Sequence, residues 1–440
     1  MNHTSSQRRS IGLLALVAWV LVACANNQGV GGDEGGQAAV RTSLAATPSP
    51  AATVSPTPEP KATATPRPTT TPQPTATPDF IAKPPTRPPS PGRTSGNRTY
   101  PPGAFEFIHT QFGVPPPPAR VPDAFVESLP AVPEGTCPLT GQLVEDTTVL
   151  QRRPLNVRVD NSEPARPQAG LALADVVWEA LAEGGITRFT ATYLCQEAEA
   201  IGPVRSARLI DLQLWPMLDA VLVHVGASQP VMDMILSSPW AEANLDEYLG
   251  APGFYRVSEA PASWLRTYTN TALLWEAVEA MGQQRPSRTL RGWHFNNVPP
   301  AGGQPAAELV IPFSQAANSV VRFRYDPERG THVRYQGSIP HMDRLTGEPL
   351  RASTVFVIFA KMTITRIVED RLGSRSLHFA IYGEGPAVVV RDGMAYEVTW
   401  RREGENVMIR PVDGRGEIVP FKPGPIWVEI VPLESPVSWK

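Results

Sequence analysis

Hydrophobic and polar positions between residues 154 and 282 alternate between strand-like and helix-like patterns. The stretches "PLNVRVDN" (154–161) and "ITRFTATYLC" (186–195) repeat apolar residues at every second position, which predicts strands. The stretch "DAVLVHVGAS" (219–228) is continuously apolar at its centre, which predicts a strand buried on both faces. Apolar spacings of three and four predict amphipathic helices in "GLALADVVWEALAEGG" (170–185) and "TALLWEAVEAMG" (271–282).

Beyond about residue 307 the pattern becomes strand-like almost throughout. We predict one hairpin over 320–338 and a second that turns at Asp392-Gly393, a dipeptide typical of tight β-hairpins. Further strands are predicted over 353–368, 376–403 and 424–432. The fold class is therefore an α/β or α+β N-terminal domain (135–300) followed by a mainly β C-terminal domain (301–440), after a disordered Pro/Thr-rich linker.

The N-terminus has the pattern of a lipoprotein signal peptide. An apolar run over 11–22 is shorter than the roughly 20 residues that span a bilayer and matches a signal-peptide core. It ends in "LVAC", a lipobox in which Cys24 becomes the lipidated first residue. We predict a signal peptide over 1–23 and a membrane anchor through lipid on Cys24, at the extracytoplasmic face. The alternative is an ordinary secretory signal with a chance cysteine.

Residues 24–134 are predicted to be the lipidated cysteine followed by a disordered Pro/Ser/Thr-rich linker. About half of the 49 prolines fall between Arg41 and Pro130, and such a chain favours an extended polyproline conformation. The aromatic stretch "YPPGAFEFIHTQFGVPPPP" (100–118) interrupts this composition. It either docks on the folded part or is an adhesive part of the linker.

Charge and cysteine usage narrow the class of protein. The formal net charge is −3 and no basic block is present, so no nucleic-acid partner is predicted. Besides Cys24 the chain holds only Cys137 and Cys195. In an exported chain this pair predicts a disulfide, and two buried free thiols are the alternative.

The motif "IGPVRSAR" (201–208) is the strongest candidate for a binding site. Its Gly-Pro pair predicts a turn before a helix that opens near Arg205. Helix N-termini attract anions, and Arg205 and Arg208, with Ser206 between them, would add a clamp for a carboxylate or phosphate. The alternative is that both arginines pair with Glu179 and Glu183 of the preceding predicted helix.

Other polar residues stand near the ends of the predicted strands, where ligands collect in open α/β sheets. We expect them to converge on one cleft because buried polar groups must be satisfied. The predicted ligand-binding residues are Asp160, Asn161, Arg166, Glu183, Thr187, Arg205, Ser206, Arg208 and His224. For His224 the alternative is a satisfied core histidine.

Evidence for catalysis or a metal is weak. A hydrolytic interpretation would use Asp160 or Glu183 as the base and Arg205 as the anion stabiliser, but no decisive catalytic motif is present. His341 and Asp343 have the spacing of a metal pair without a third ligand, and a polar turn between strands is the favoured interpretation. We therefore predict no metal, no cofactor and no identified catalytic residue.

Several motifs resemble the YerB-like lipoprotein family. They are "CPLTG" (137–141), "RRPLNVRVDNSEPARPQAGLALADVVWEALAEGGITRF" (152–189), "IGPVRSAR" (201–208), "VHVGAS" (223–228), "YDPERGTHVRYQGSIPHMDRLTGEPL" (325–350) and "RDGMAYEVTW" (391–400). The resemblance implies a lipid-anchored extracytoplasmic protein with N-terminal and C-terminal YerB-type domains of unknown function. It covers nearly everything after Cys137.

Three functional hypotheses follow. The leading one is a non-catalytic envelope lipoprotein that binds an anionic ligand, such as a cell-wall peptide or glycan. The second is a cell-wall hydrolase that uses Asp160 or Glu183. The third is an interaction scaffold in which the polar cluster is purely structural.

Overall fold

The computed structural model describes residues 99–314 and 319–440. The predicted signal peptide, the predicted lipidation site Cys24 and most of the predicted linker lie outside these residues. Within them the chain forms five α-helices: α1 Ala104–Phe112, α2 Asp123–Ser128, α3 Asp211–Leu218, α4 Gln229–Ser237 and α5 Thr271–Ala280.

The same described residues contribute twenty β-strands, from which the sheets are built. They are β1 Leu155–Asp160, β2 Val176–Leu181, β3 Thr187–Tyr193, β4 Val221–His224, β5 Asn244–Asp246, β6 Phe254–Arg256, β7 Thr267–Thr269, β8 Gln304–Pro305, β9 Glu308–Ser314, β10 Ser319–Asp326, β11 Thr331–Gln336, β12 Ile339–Pro340, β13 Arg351–Ala352, β14 Thr354–Val368, β15 Arg375–Ala380, β16 Gly383–Arg391, β17 Met394–Arg402, β18 Arg410–Val412, β19 Ile426–Pro432 and β20 Ser438–Trp439.

A mixed twelve-stranded sheet runs through both halves of the chain. Its strands follow the order β18-β17-β16-β14-β19-β2-β3-β1-β4-β5, with β15 paired to β14 and β8 paired to β17. β19 from the C-terminal half lies parallel to β2 from the N-terminal half. The large sheet thus contains strands from both sides of the predicted domain boundary at 300/301. The boundary itself stays a prediction.

Both faces of the large sheet are covered. Along β2, Val176 and Trp178 enter a core with α1, α3 and α4, while Val177 enters a second core on the opposite face. That second core also contains α5 and Phe323 of the six-stranded sheet β12-β11-β10-β9-β20, to which β13 is paired. The molecule is therefore layered, with the six-stranded sheet stacked on one face of the large one.

The amphipathic helix predicted over 170–185 is wrong. β2 occupies the centre of this range, and short 3-10 turns flank it. Because both faces of β2 are buried, apolar residues stand at consecutive positions, and a short run of this kind fits the helical and the strand period equally well. Gly184 and Gly185, expected as a helix C-cap, instead form the turn into β3, each with φ of 74°.

The helix predicted to open near Arg205 is also wrong. Residues 201–208 are extended: Val204 bridges to Val159, and the Arg205 N–H donates to the Arg158 carbonyl oxygen at 2.9 Å. α3 begins only at Asp211. The two arginines of the motif therefore do not stand at a helix N-terminus.

The remaining pattern predictions are confirmed. The three strands predicted in the N-terminal half correspond to β1, β3 and β4, and the helix predicted at 271–282 is α5. Both predicted hairpins are present, as β10–β11 and β16–β17. Asp392 and Gly393 have φ of 52° and 71°, as a tight hairpin turn requires. The fold class, an α/β or α+β N-terminal region followed by a mainly β C-terminal region, is confirmed.

Two helices lie inside the range that the sequence assigns to the linker. In α1, Phe105 is buried and meets the ring of Trp240 edge-on, at a centroid distance of 5.7 Å. Tyr100 donates from its hydroxyl to the Asp233 carboxylate at 2.7 Å. Of the two interpretations of the aromatic stretch, the structure therefore supports docking on the folded part.

Candidate functional site

A fully buried arginine lies between the two stacked sheets. Arg334 on β11 donates from Nη2 to both carboxylate oxygens of Glu179 on β2, at 3.0 and 2.7 Å. Its guanidinium also lies near the rings of Phe189 and Trp427, at centroid distances of 5.3 and 5.0 Å. A buried charge is costly unless it is partnered, so the pairing of Arg334 with Glu179 holds the two sheets in one arrangement.

A second buried carboxyl group lies beside this pair. Glu429 on β19 stands opposite Glu179 in the parallel register. Within the described part of the chain, no donor group hydrogen-bonds to either of its carboxyl oxygens, and a hydrogen bond shared with Glu179 favours a proton on Glu429. Burial raises the pKa of Glu429 well above its usual value, and the charge of Glu179 raises it further, while Arg334 only partly offsets this. The protonated form of Glu429 is therefore favoured.

A buried histidine continues the network toward the surface. Arg334 donates from Nη1 to Nδ1 of His341, which leaves Nε2–H to donate to the Gln168 side-chain oxygen at 2.6 Å. Burial lowers the pKa of His341 well below its usual value, and the charges of Arg334 and Arg166 lower it further. The imidazole is therefore neutral in the folded protein.

Three of the predicted site residues meet at this network. Asn161 donates from Nδ2 to the Thr187 hydroxyl at 2.7 Å, and that hydroxyl donates to Glu179 at 2.5 Å. Arg166 donates to the Asn161 side-chain oxygen at 3.0 Å and to its backbone oxygen at 2.7 Å. The polar residues at the ends of β1 and β3 thus converge with residues of the C-terminal half, including Arg334.

A cleft of about 510 Å³ opens above these side chains, and we call it the Arg166 cleft. Its lining residues come from both halves of the chain and are Glu163, Arg166, Pro167, Ile186, Gln336, Gly337, Ser338, Ile339, Pro340, His341 and Met342. Ile339 at the mouth is 70% exposed. Arg166 is half-buried, and its Nη1 donates no hydrogen bond to another described residue. The cleft combines apolar walls with one available guanidinium donor.

Arg205 and Arg208 point to different partners, neither of which lines the Arg166 cleft. Arg205 donates from Nε to Asp160 at 3.0 Å and keeps 25% of its side chain exposed. Arg208 donates from Nε to Glu183 at 2.7 Å and also contacts Glu183 through Nη2. Its Nε lies 3.4 Å from Glu369, whose side chain is fully buried. Of the two alternatives for the motif, carboxylate pairing describes Arg208, and Glu179 is not one of its partners.

Both proposed catalytic bases are engaged by arginines. Burial alone would raise the pKa of Glu183, but the hydrogen bond from Arg208 and the charges of Arg188 and Arg208 hold it at about 2. A group with so low a pKa is a poor general base at neutral pH. Asp160 is 2% exposed and accepts from Arg205 and from the Ser162 N–H at 2.7 Å.

The other candidates lie apart from the cleft or have a structural role. His224 is fully buried, with its ring nitrogens 2.9 Å from the Gly226 carbonyl oxygen and 2.8 Å from Asn244 Oδ1. Ser206 donates to the Val225 carbonyl oxygen at 3.0 Å. Asp343 accepts the backbone N–H groups of Leu345 and Thr346 in its own turn and that of Ala172 from the N-terminal half, which fits the polar-turn interpretation.

Cys137 and Cys195 are bridged, with Cα atoms 6.1 Å apart. Beside them, Asp175 accepts the backbone N–H of Leu194 at 2.6 Å and that of Cys195 at 2.9 Å. Burial raises the pKa of Asp175 to about 6, although these hydrogen bonds act to lower it. This geometry is compatible with the disulfide, which stays a prediction for the exported protein.

Comparison with known proteins shows which proteins share this architecture. Two family models match, "Protein of unknown function (DUF3048) N-terminal domain" over residues 139–284 and the corresponding C-terminal domain over 309–428. "Putative lipoprotein YerB" of Bacillus subtilis (strain 168) is 32% identical over 298 residues, which are 67% of this chain and 86% of the relative. The crystal structure of YerB protein from Bacillus subtilis matches with a TM-score of 0.59 at 30% identity, covering 69% of this chain and 99% of that chain.

The fold and the cleft thus define a class of two-part, mixed-sheet proteins whose activity is not assigned. The chain belongs to the YerB-like family. Its similarity to a lipoprotein is consistent with membrane anchoring. Among the residues that the structure describes, no helix has the length and apolar character needed to span a bilayer.

Proposed function

We propose that this chain is a lipid-anchored, extracytoplasmic envelope protein that binds an anionic, cell-wall-related ligand in the Arg166 cleft without catalysing a reaction. The lipobox at Cys24 and the similarity to a lipoprotein support the anchor. The cleft supports the binding role, because it has the size of a small-molecule site. The observation that carries the proposal is the available guanidinium donor of Arg166, one of the residues that line the cleft.

Among the described residues, the charges around the cleft leave Arg166 without a direct ion pair. Arg166 and Arg334 contribute two positive charges, and Arg334 is already paired with Glu179. His341 is neutral and the protonated form of Glu429 is favoured. Burial and the charge of Arg334 lower the pKa of Arg166, while the charges of Glu179, Glu163 and Asp160 raise it. The hydrogen bonds of Arg166 go to Asn161 and not to these carboxylates, so an incoming carboxylate or phosphate would pair directly with its Nη1.

The walls of the cleft favour a ligand with an apolar part. Ile186, Ile339 and Met342 line the cleft together with Arg166 and the exposed Glu163. A cell-wall peptide that carries a carboxylate and an aliphatic side chain fits this combination better than an uncharged glycan. Cleavage of such a ligand is not favoured, because Asp160 and Glu183 are engaged by arginines outside the cleft.

A pulldown with isolated cell wall tests the proposal. We expect wild type to be retained and Arg166→Gln to be released. Ile339→Asp, at an exposed position of the cleft mouth, should also be released because its charge repels the ligand, and its exposure makes a folding defect unexpected. Arg285→Gln, at an exposed arginine outside the cleft, is the matched control. Equal retention of all four proteins would contradict the proposed ligand-binding role and would favour the interaction scaffold.

A further inference from the structure

One hairpin of the large sheet extends beyond the segment that pairs with β16 and β19. β14 has 15 residues, and its first part pairs with β16 and β19 as far as Ala360. From Lys361 to Val368 its cross-strand partner is β15. We call residues 361–380 the outer hairpin. We propose that it docks on an anionic lipid surface.

The outer hairpin has one inner and one outer face. Thr365 and Ile367 point inward and are buried. Between and beside them, Ile364 is 65% exposed and Val368 is 44% exposed. Because side chains alternate along a strand, Arg366 shares the outer face with these two apolar residues. The outer face of this strand therefore presents two aliphatic side chains beside one cation.

The tip of the outer hairpin presents a leucine to solvent. Leu372 is 92% exposed, more than any other large hydrophobic residue of the described chain. The tip is held in shape by Asp370, whose Oδ1 accepts the N–H groups of Leu372 at 2.9 Å and Ser374 at 3.0 Å. Exposure of Leu372 is thus built into a hydrogen-bonded turn.

The outer hairpin carries more positive than negative charges. Arg366, Arg371 and Arg375 are exposed, and the guanidinium groups of Arg366 and Arg371 make no ion pair or hydrogen bond with described residues. Of the two acids of the hairpin, Glu369 is buried against Arg208, while Asp370 is an exposed carboxylate whose Oδ1 accepts hydrogen bonds in the turn. These two acids are outnumbered by Lys361, Arg366, Arg371 and Arg375, so the outer hairpin carries a net positive charge that is complementary to anionic headgroups.

The outer hairpin is also fastened to the body of the protein. Glu369 lies 3.4 Å from Arg208, and Arg208 donates to Glu183 in the turn after β2. This contact gives Arg208 a structural role. A fixed surface of exposed aliphatic side chains flanked by arginines is typical of proteins that lie on membranes. The inference uses the proposed lipid anchor, which brings a membrane within reach, and does not depend on the cleft ligand.

Fluorescence quenching on vesicles tests the inference with the full lipidated chain. A fluorescent dye is attached at Leu372→Cys, and its quenching by lipids spin-labelled at the headgroup is measured. The vesicles consist of phosphatidylcholine with or without phosphatidylglycerol. The same dye at Leu143→Cys, a residue that is 82% exposed, is the positional control. Flotation of the protein with the vesicles measures attachment through the lipid anchor separately. A missing anchor can therefore be distinguished from a hairpin that does not dock.

We expect quenching at residue 372 in the anionic vesicles and none at residue 143. Each arginine near an anionic surface is worth roughly a fivefold change in binding, so Arg366→Gln/Arg371→Gln should weaken docking at least about tenfold. Arg285→Gln/Arg329→Gln, a matched pair of exposed arginines elsewhere, should not. The proposal is overturned if residue 372 is quenched no more than residue 143, or equally in neutral and anionic vesicles, or if the two arginine pairs behave alike.

Discussion

Replacing Glu429 by glutamine tests the buried acid pair between the sheets. Burial and the adjacent carboxylate of Glu179 raise the pKa of Glu429 well above the unfolded value of about 4.3. The native state therefore keeps a proton that the unfolded state releases. Glu429→Gln has the shape of the protonated side chain and does not titrate, so it should remove this dependence on pH.

The sign and size of the effect follow from proton linkage. A raised native pKa means that the stabilising contribution of Glu429 is fully present below about pH 4.3 and declines as the pH rises toward the native pKa. Within that window wild type loses about 1.4 kcal/mol of unfolding free energy per pH unit relative to Glu429→Gln. Asp175 and the buried histidines titrate in both proteins, so their contributions cancel in the difference.

Urea unfolding at several pH values between 5 and 8 measures the difference. We expect Glu429→Gln to match wild type most closely at the lowest pH and to become progressively more stable than wild type as the pH rises. Glu434→Gln, at an exposed carboxylate shortly after β19, should show no such trend. A difference for Glu429→Gln that does not change with pH would refute the reasoning, since it would mean that Glu429 is ionised in both states.

Two further predictions concern stability. Replacing Cys137 and Cys195 by serine should remove about 4 kcal/mol, the loop-closure value for a sequence separation of 58 residues, as measured by urea unfolding; unchanged stability would contradict the bridge. Arg208→Met should cost about 3–5 kcal/mol because it leaves the buried carboxylate of Glu369 without its arginine and leaves Glu183 with Arg188 alone, whereas Arg205→Met should cost less, because Arg205 is itself 25% exposed and the buried Asp160 keeps the hydrogen bond from the Ser162 N–H; equal losses in thermal melts would contradict this difference.

The sequence pattern predicts β1 and β3, where apolar residues recur at every second position, and the hairpins, where the turn residues are distinctive. It fails for β2, which is covered by helices on one face and by the six-stranded sheet on the other, so that apolar residues stand at consecutive positions and fit the helical period equally well. The extended course of residues 201–208 depends on bridges to β1 and β7, which local sequence does not encode.

The candidate site is only partly predictable for a similar reason. Asn161, Arg166 and Thr187 are found because polar residues at strand ends are conspicuous. Glu179 and Arg334 are missed as a pair because 155 positions separate them and only the stacking of the sheets brings them together. The available signal is a charged residue in the middle of an otherwise buried strand, as in "VVWEAL" and "IWVEIVP".

The most direct test of the central claim is calorimetric titration of the purified protein with a soluble cell-wall stem peptide that carries a free carboxylate. The account predicts saturable binding to wild type. A charge-assisted hydrogen bond is worth roughly 1.5–3 kcal/mol, so Arg166→Gln should bind at least about tenfold more weakly. Arg285→Gln, which lies outside the cleft, should bind like wild type. Equal affinity of wild type and Arg166→Gln, or no binding by any of the three, would contradict the proposal that the Arg166 cleft receives an anionic cell-wall ligand.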